Sequence, residues 1–79
     1  MKAKVEVFLK PGVLDVQGKA VEAALHGLGW PGASNVRVGR VIELDLDAGE
    51  VESAKADVET MCKQLLANPV IEGYRVEIA

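Results

Sequence analysis

Two side chains have the chemistry of a nucleophile and its general base, Cys62 and His26, and each is the single residue of its type in the sequence. A catalytic cysteine needs a lowered pKa, which a neighbouring imidazolium or a helix N-terminus usually provides. Cys62 instead falls near the C-terminal end of a predicted helix, on its apolar stripe, and His26 falls outside the apolar stripe of another predicted helix. The pattern therefore favours a buried thiol and a solvated imidazole over a catalytic pair.

Two other groupings could bind a ligand. Glu43, Asp45 and Asp47 share one face of a predicted strand, but carboxylates about 7 Å apart along a strand need further ligands to hold a metal. The stretch KPG at 10–12, with GK at 18–19, could bind a phosphate near a helix N-terminus, although a turn and a helix cap explain the same residues. No Walker loop, GxGxxG or HExxH motif occurs. The sequence thus predicts no catalytic, cofactor-binding or metal-binding residue.

The size of the chain limits its stability. Its 79 residues leave room for one domain, spanning 1–79. Such a domain buries only about 60% of the surface that its unfolded chain exposes, so marginal stability is expected. One cysteine and one histidine can form neither a disulfide nor a structural metal site. Self-association is the remaining common route, and we predict a homodimer or a higher oligomer.

The charge and the cysteine usage limit the partners and the compartment. The net charge is −3 with both signs mixed along the chain, which argues against a nucleic-acid partner because such proteins present a basic face. A single cysteine fits a reducing compartment. The opening MKAKVEVFLK lacks the apolar core of a signal peptide, and no apolar run approaches the roughly 20 residues that cross a bilayer. We expect a soluble, cytoplasmic protein with no membrane partner.

Three strands are predicted from alternating patterns. Residues 2–10 alternate between apolar and polar side chains, as half-buried strands do. A second alternating run covers 36–47 and is long for one strand, so Gly39 could mark a bend or a break in it. Arg40 is the one residue of that run that falls, against the pattern, on the apolar side. The third strand is predicted at about 70–78.

Two amphipathic helices separate these strands, one at about 16–28 and one that follows the pair Asp47 and Glu50 and runs to about 67. Each has a start signal, because an Asp side chain can accept hydrogen bonds from the free amides of the first turn. Each also has a stop signal, because Gly or Asn adopts the left-handed conformation of a helix end and Pro cannot continue a helix. In chain order these signals are Asp15, Gly29, the capping-box pair Asp47 and Glu50, Asn68 and Pro69. The apolar stripes are Val21, Ala24, Leu25 and Leu28 on the first helix, and Val51, Ala54, Val58, Met61, Cys62, Leu65 and Leu66 on the second.

The order β-α-β-α-β predicts an α+β domain, with a three-stranded sheet (four-stranded if the middle strand is broken) and both helices covering one face. The other face is left open and is mostly charged. Phe8 and Val41 are its apolar exceptions. Gly18, in the first turn of the first helix, is a position where another backbone could come close.

Four blocks of the sequence resemble one family. They are LKPGVLD at 9–15, QGKAV at 17–21, VRVGR at 36–40 and MCKQLLANPVIE at 61–72, with Leu28-Gly29 between them. Together they resemble the PurS family, the small subunits of phosphoribosylformylglycinamidine (FGAM) synthase, nearly end to end. The departures from the family pattern are Val16 in place of Pro, Trp30 in place of Phe or Tyr, and Arg40 in place of Lys.

The resemblance implies a role in de novo purine synthesis. The complex converts formylglycinamide ribonucleotide (FGAR), glutamine and ATP into FGAM, glutamate, ADP and phosphate. A separate glutaminase subunit carries the Cys-His chemistry that frees ammonia, and a large synthetase subunit uses ATP and magnesium. The small subunit is a non-catalytic dimer that binds no cofactor, bridges the other two and supports ammonia transfer.

The resemblance also suggests interface residues, some polar ones in or beside the family blocks and some apolar ones on the open face or near the last strand. They are Phe8, Lys10, Arg37, Arg40, Val41, Asn68, Ile71 and Glu72. A dimer could pair strand edges or stack open sheet faces with Phe8 and Val41 inside. Bracing of the fold is an equal alternative for Arg40 and Asn68.

A different class of protein would also fit a small α+β domain. The alternative function is a dimeric regulatory module that binds a small ligand, such as an amino acid, between subunits. An autonomous enzyme would need activity from this chain alone, and no residues are seen to supply it.

Overall fold

The first strand, β1 (Lys2–Leu9), lies at the centre of an antiparallel sheet. The structure is a computed structural model and describes residues 1–47 and 49–79. β2 (Arg40–Asp45) and β3 (Glu72–Ile78) flank β1, giving the order β2-β1-β3. Pro11 and Gly12 follow β1, and Gly12 has a φ of 87°, a left-handed conformation that suits glycine.

One helix supplies most of the core on the covered face of the sheet. This helix, α2 (Val51–Met61), packs on β3 and β1. Val5 and Val7 from β1 meet Val58 and Cys62, and all four are essentially inaccessible to water. Ile42, Leu44, Val76 and Ile78 complete this cluster from the flanking strands. The predicted α+β class, the three strands and the β-α-β-α-β order are confirmed.

The second helix does not end as an α-helix. Residues Cys62–Leu66 continue it as a π-helical turn, in which the Ala67 amide donates to the Cys62 carbonyl at 3.0 Å. A hydrogen bond over five residues moves the inward position from i+4 to i+5. Cys62 and Ala67 are therefore both buried, whereas Leu65 is exposed. The prediction that Leu65 belongs to the buried stripe is wrong for this reason.

The two helix N-termini differ in how they are capped. For α1 (Val16–Gly27) the Asp15 side chain accepts a hydrogen bond from the Gly18 amide at 2.7 Å, as predicted. For α2 the N-cap is Glu50, and its side chain makes no capping bond. The predicted capping box of Asp47 and Glu50 is wrong, because it requires a helix that begins right after Asp47, and α2 begins at Val51. Ala48 lies outside the described residues.

The C-terminal end of α1 is formed by a glycine in the left-handed conformation. Gly29 has a φ of 98°, and its amide donates to the His26 carbonyl at 3.2 Å. The Trp30 amide donates to the Leu25 carbonyl at 3.0 Å. These two bonds form a Schellman motif, which satisfies carbonyls at a helix end. The predicted stop at Gly29 is confirmed.

The position of α1 differs from the prediction that both helices cover the sheet. Among the described residues, α1 makes no contact with a strand comparable to that of α2. Asp15 holds the start of α1 against residues 36–38, because its second carboxylate oxygen accepts from the Val38 amide at 2.8 Å. Residues 10–39 thus form an arm that projects from one end of the sheet. The predicted strand over 36–47 is shortened to β2 because its first residues pack along this arm.

The arm makes the molecule long. Its extents are 50 × 24 × 14 Å and its radius of gyration is 15.9 Å. A compact chain of this length would have a radius of gyration of about 12 Å. Within the described ranges, the covered face of the sheet therefore carries one helix, α2, and the apolar stripe of α1 has no sheet beneath it.

Candidate functional site

The polar residues predicted as contacts gather where β1 ends and the arm begins. Arg40 and Glu72 lie on the core side of β2 and β3, at the end of the buried cluster. The Arg40 guanidinium donates to both Glu72 carboxylate oxygens, at 2.7 and 3.2 Å, and also to the Leu66 carbonyl at 2.7 Å. The Arg40 guanidinium therefore links β2 to β3 and to the end of the π turn. These bonds explain why an arginine occupies an inward position.

The same carboxylate also organises the start of the last strand. Glu72 accepts from the Asn68 amide at 2.7 Å, and the Asn68 side chain accepts from the Val70 amide at 3.0 Å. Hydrogen bonds from Arg40 and from the Asn68 amide hold the pKa of Glu72 below its ordinary value, and the carboxylate raises the pKa of Arg40. Arg40, Asn68 and Glu72 therefore form one brace within the chain.

A second brace fixes the base of the arm. The Arg37 side chain donates to the Val13 and Lys10 carbonyls at 3.0 and 3.3 Å, and its Nε lies 3.8 Å from the Asp15 carboxylate. Asp15 is buried, and the amides of Val38 and Gly18, with help from the Arg37 charge, lower its pKa. This carboxylate accepts from the Gly18 amide at the N-terminus of α1, so a helix cap accounts for this end of the helix.

The open face of the sheet is balanced in charge. Strand register sets Lys2 opposite Asp45, and Lys4 between Glu43 and Glu77. Opposite charges at facing positions stabilise a sheet that stays in contact with water. This pairing explains why so polar a face needs no cover.

One end of the open face is apolar. Phe8 lies over Gly73, where an added Cβ would come within 2.7 Å of the ring, and the Arg75 guanidinium lies 5.8 Å from the ring centroid. Phe8 and Val41 are 38% and 55% exposed. A concavity of about 510 Å³ adjoins this end, lined by Phe8, Leu9, Pro11, Arg37, Val38 and Gly39. Phe8 and Val41 are thus exposed on the open face, as predicted from the alternating pattern.

The arm carries several exposed large apolar side chains. Val21 and Leu28 were predicted to face the sheet, but both are exposed, as are Leu14, Val16 and Trp30. Exposed apolar side chains that lie together mark contact surfaces. The helix is confirmed, but no surface among the described residues covers Val21 and Leu28.

A second apolar surface lies at the junction of the π turn and β3. Leu65 and Val70 are 83% and 79% exposed, and Ile71 lies beside them at 39%. We call residues 65–71 the tip. Ile71 was among the predicted contacts, whereas Leu65 and Val70 were not. The signal that could have found them is an apolar run that continues on both sides of the helix-ending pair Asn68-Pro69.

The residues considered for chemistry are not brought together. Cys62 is buried, which raises the pKa of its thiol, and His26 Nε2 lies 2.7 Å from the Ala33 carbonyl on the arm. Within residues 1–47 and 49–79, no three side chains of the His, Cys, Asp and Glu types gather as metal ligands. No helix in the same ranges is long and apolar enough to cross a bilayer.

Comparison with known proteins points to one family. The model of the PurS family, described as phosphoribosylformylglycinamidine (FGAM) synthase, matches residues 2–79. The PurS subunit of Synechocystis sp. is 49% identical over 75 residues, which are 95% of this chain and 75% of that protein. The PurS subunit of Bacillus subtilis is 44% identical over 77 residues, or 98% and 90% of the two chains.

Solved structures agree with this relationship. Methanocaldococcus jannaschii PurS, one of the subunits of formylglycinamide ribonucleotide amidotransferase, superposes with a TM-score of 0.85 at 41% identity, covering 96% of this chain and 92% of that one. A chain in the structure of PurLQS from Thermotoga maritima superposes with a TM-score of 0.87 at 32% identity, covering 96% and 93%.

Proposed function

The chain belongs to the PurS family, the small subunits of FGAM synthase, and we propose that it works in that enzyme by contact, joining the glutaminase and synthetase subunits. The observation that supports this most directly is the exposed apolar surface on the arm and the tip. The braces around Asp15 and Glu72 hold these surfaces in place. The polar groups are thus used for structure and the apolar groups are left for partners.

In this proposal the chemistry belongs to other chains. FGAM synthase is a glutamine-using, ATP-dependent ligase, which converts FGAR to FGAM. We propose that ATP and magnesium are used on the synthetase subunit and that this chain supplies no catalytic group. Ammonia that escaped into water would be protonated and lost to the reaction. A subunit that orders the junction would therefore raise the coupled rate by supporting ammonia transfer.

We further propose that a second copy of the chain covers the arm. The exposed stripe of α1 and the single helix on the sheet face suggest that a helix from another copy completes the layer. A stable interface needs about 1,200 Å² of buried surface in total. The arm is a better basis for it than stacked open faces, because those faces carry charged residues such as Lys4 and Glu43, which lie opposite each other across the strands, and burying them would cost desolvation.

The predicted contact residues divide into two roles in this proposal. Phe8, Val41 and Ile71 are exposed and would touch partners directly. Arg37, Arg40, Asn68 and Glu72 would act by bracing, and Lys10 would do both, because its ammonium donates to the Pro69 carbonyl at 2.8 Å and is otherwise exposed.

The compartment and the extent of the domain complete the proposal. The chain would act as one domain over 1–79 in the cytoplasm, with no nucleic-acid or membrane partner. The alternative of a small-ligand regulatory module is not favoured, since the relatives reported above are all PurS subunits.

Reconstitution tests the proposed function. Purified glutaminase and synthetase subunits are mixed with and without this chain, and FGAM formation is measured with glutamine and then with ammonium as nitrogen donor. We expect the chain to raise the glutamine-dependent rate at least tenfold and the ammonium-dependent rate much less. Equal glutamine-dependent rates with and without the chain would overturn the proposal. Sedimentation analysis tests self-association separately, and a monomer at micromolar concentration would refute it.

A further inference from the structure

The tip presents apolar side chains on a rigid backbone. Leu65 and Val70 are the most exposed large apolar side chains among the described residues. Their backbone is fixed by the Ala67 bond to the Cys62 carbonyl and by the Val70 bond to the Asn68 side chain. An apolar surface that is already ordered loses little entropy on binding. The tip is therefore organised for contact before a partner arrives.

The charge around the tip differs in sign from that of the whole chain. Lys10 reaches over to the Pro69 carbonyl, and Lys63 belongs to the π turn just before Leu65. Within residues 63–72 the one carboxylate, Glu72, is matched by Arg40, and Glu59 lies about one helical turn before Lys63. The tip thus has a basic rim on a chain whose net charge is −3. Complementarity requires an occupant with carboxylates around an apolar recess.

Resting on the proposed function, we propose that the tip docks into an apolar recess of a different polypeptide of the complex, and that carboxylates rim that recess. A second copy is a poor occupant. The apolar concavity of this chain near Phe8 is lined by Arg37, so the basic rim would meet a like charge. A tip-in-recess contact between identical chains would also be heterologous, and such contacts close into a ring or extend into a filament.

Paired variants test the site. Leu65→Ser with Val70→Ser removes the apolar surface, and Val51→Ser is the matched control because Val51 is 55% exposed at the start of α2, outside both the arm and the tip. Binding to the purified glutaminase and synthetase subunits is measured by interferometry, and self-association by sedimentation. We expect the tip variant to keep its circular dichroism and self-association and to lose at least tenfold in affinity for one of the two subunits.

The basic rim is tested through salt. Lys63→Gln should weaken that affinity severalfold at 50 mM salt and reduce its dependence on salt, since it removes one charge from the contact. Lys55→Gln, the same change on the exposed side of α2, should leave both unchanged. Equal effects of the two lysine variants would overturn the basic-rim part of the proposal.

The outcomes separate this proposal from the one it rests on. If the unsubstituted chain neither binds nor restores activity, the proposed function fails. If the unsubstituted chain binds and restores activity, and the tip variant binds and restores activity equally well, the docking proposal is wrong and the proposed function stands. If the tip variant loses self-association and keeps its affinity for the other subunits, the occupant is a second copy and the docking proposal is wrong.

Discussion

Replacing Gly18 by alanine tests whether α1 is held to the arm as described. Alanine normally stabilises a helix relative to glycine by about 1 kcal/mol. Here a Cβ would lie 2.3 Å from the Val36 carbonyl oxygen. Carbon and oxygen approach to roughly 3.3 Å even in close backbone contacts, so the two segments must separate by about 1 Å.

The separation acts on the bonds made by Asp15. Its carboxylate bridges the Gly18 amide and the Val38 amide at 2.7 and 2.8 Å, one on each segment. Overpacking costs about 1–3 kcal/mol, and a weakened hydrogen bond about 1 kcal/mol more. After subtracting the gain in helix propensity, we expect Gly18→Ala to lower the free energy of unfolding by about 1–3 kcal/mol.

Urea denaturation at one fixed protein concentration measures this change, because self-association makes stability depend on concentration. Gly27→Ala, in the same helix, is the control: nothing lies within 4 Å of its Cβ, so it should be neutral or stabilising. Faster amide exchange at Val38 in the Gly18 variant would locate the damage. A Gly18 variant as stable as Gly27→Ala would refute the close approach of the two segments.

Three further results are expected. The pKa values of Asp15 and Glu72 are lowered in the folded chain, so the stability that they add is complete above the ordinary carboxyl range and is lost as pH falls through about 4 and below. Thermal melts of Glu72→Gln should therefore show a weaker dependence of the melting temperature on pH. The same dependence in the variant and the unsubstituted chain would contradict the reasoning. Cys62 is buried with a raised pKa, so a disulfide reagent should label it at least a hundredfold more slowly in the native chain than in urea, whereas rapid native labelling would place it at the surface. Gly39→Ala should destabilise the chain by about 1–3 kcal/mol, because a Cβ there meets the Val7 carbonyl oxygen at 2.6 Å, and an unchanged urea midpoint would argue against it.

Local signals in the sequence were sufficient where a residue acts on its own neighbourhood. The alternation in β1, the cap at Asp15 and the stop at Gly29 depend on bonds within a few residues, and all three are found. Arg40 was recognised as an exception to the alternation, but its role needed Glu72, which is 32 residues away.

Two features could not be predicted from local patterns. An apolar stripe such as that of Val21 and Leu28 predicts a covered face, but the local pattern does not specify the covering surface, and both side chains are exposed in the structure. Leu65 was assigned inward because the 3.6-residue period was extended through a segment that adopts π geometry. The hydrogen bond from the Ala67 amide to the Cys62 carbonyl changes the period there, and the burial of both residues is its consequence.

The π turn also affects how the protein can change through evolution. In an α-helix each residue turns the chain by about 100°, so loss of one residue between Cys62 and Ala67 would restore the ordinary period, keep Ala67 at an inward position and change which of the residues between them face outward. Ala54, Val58 and Cys62, upstream of that point, would keep their places in the core. Length variation here is thus a way to re-aim an outer surface in one step, without altering a single interior side chain.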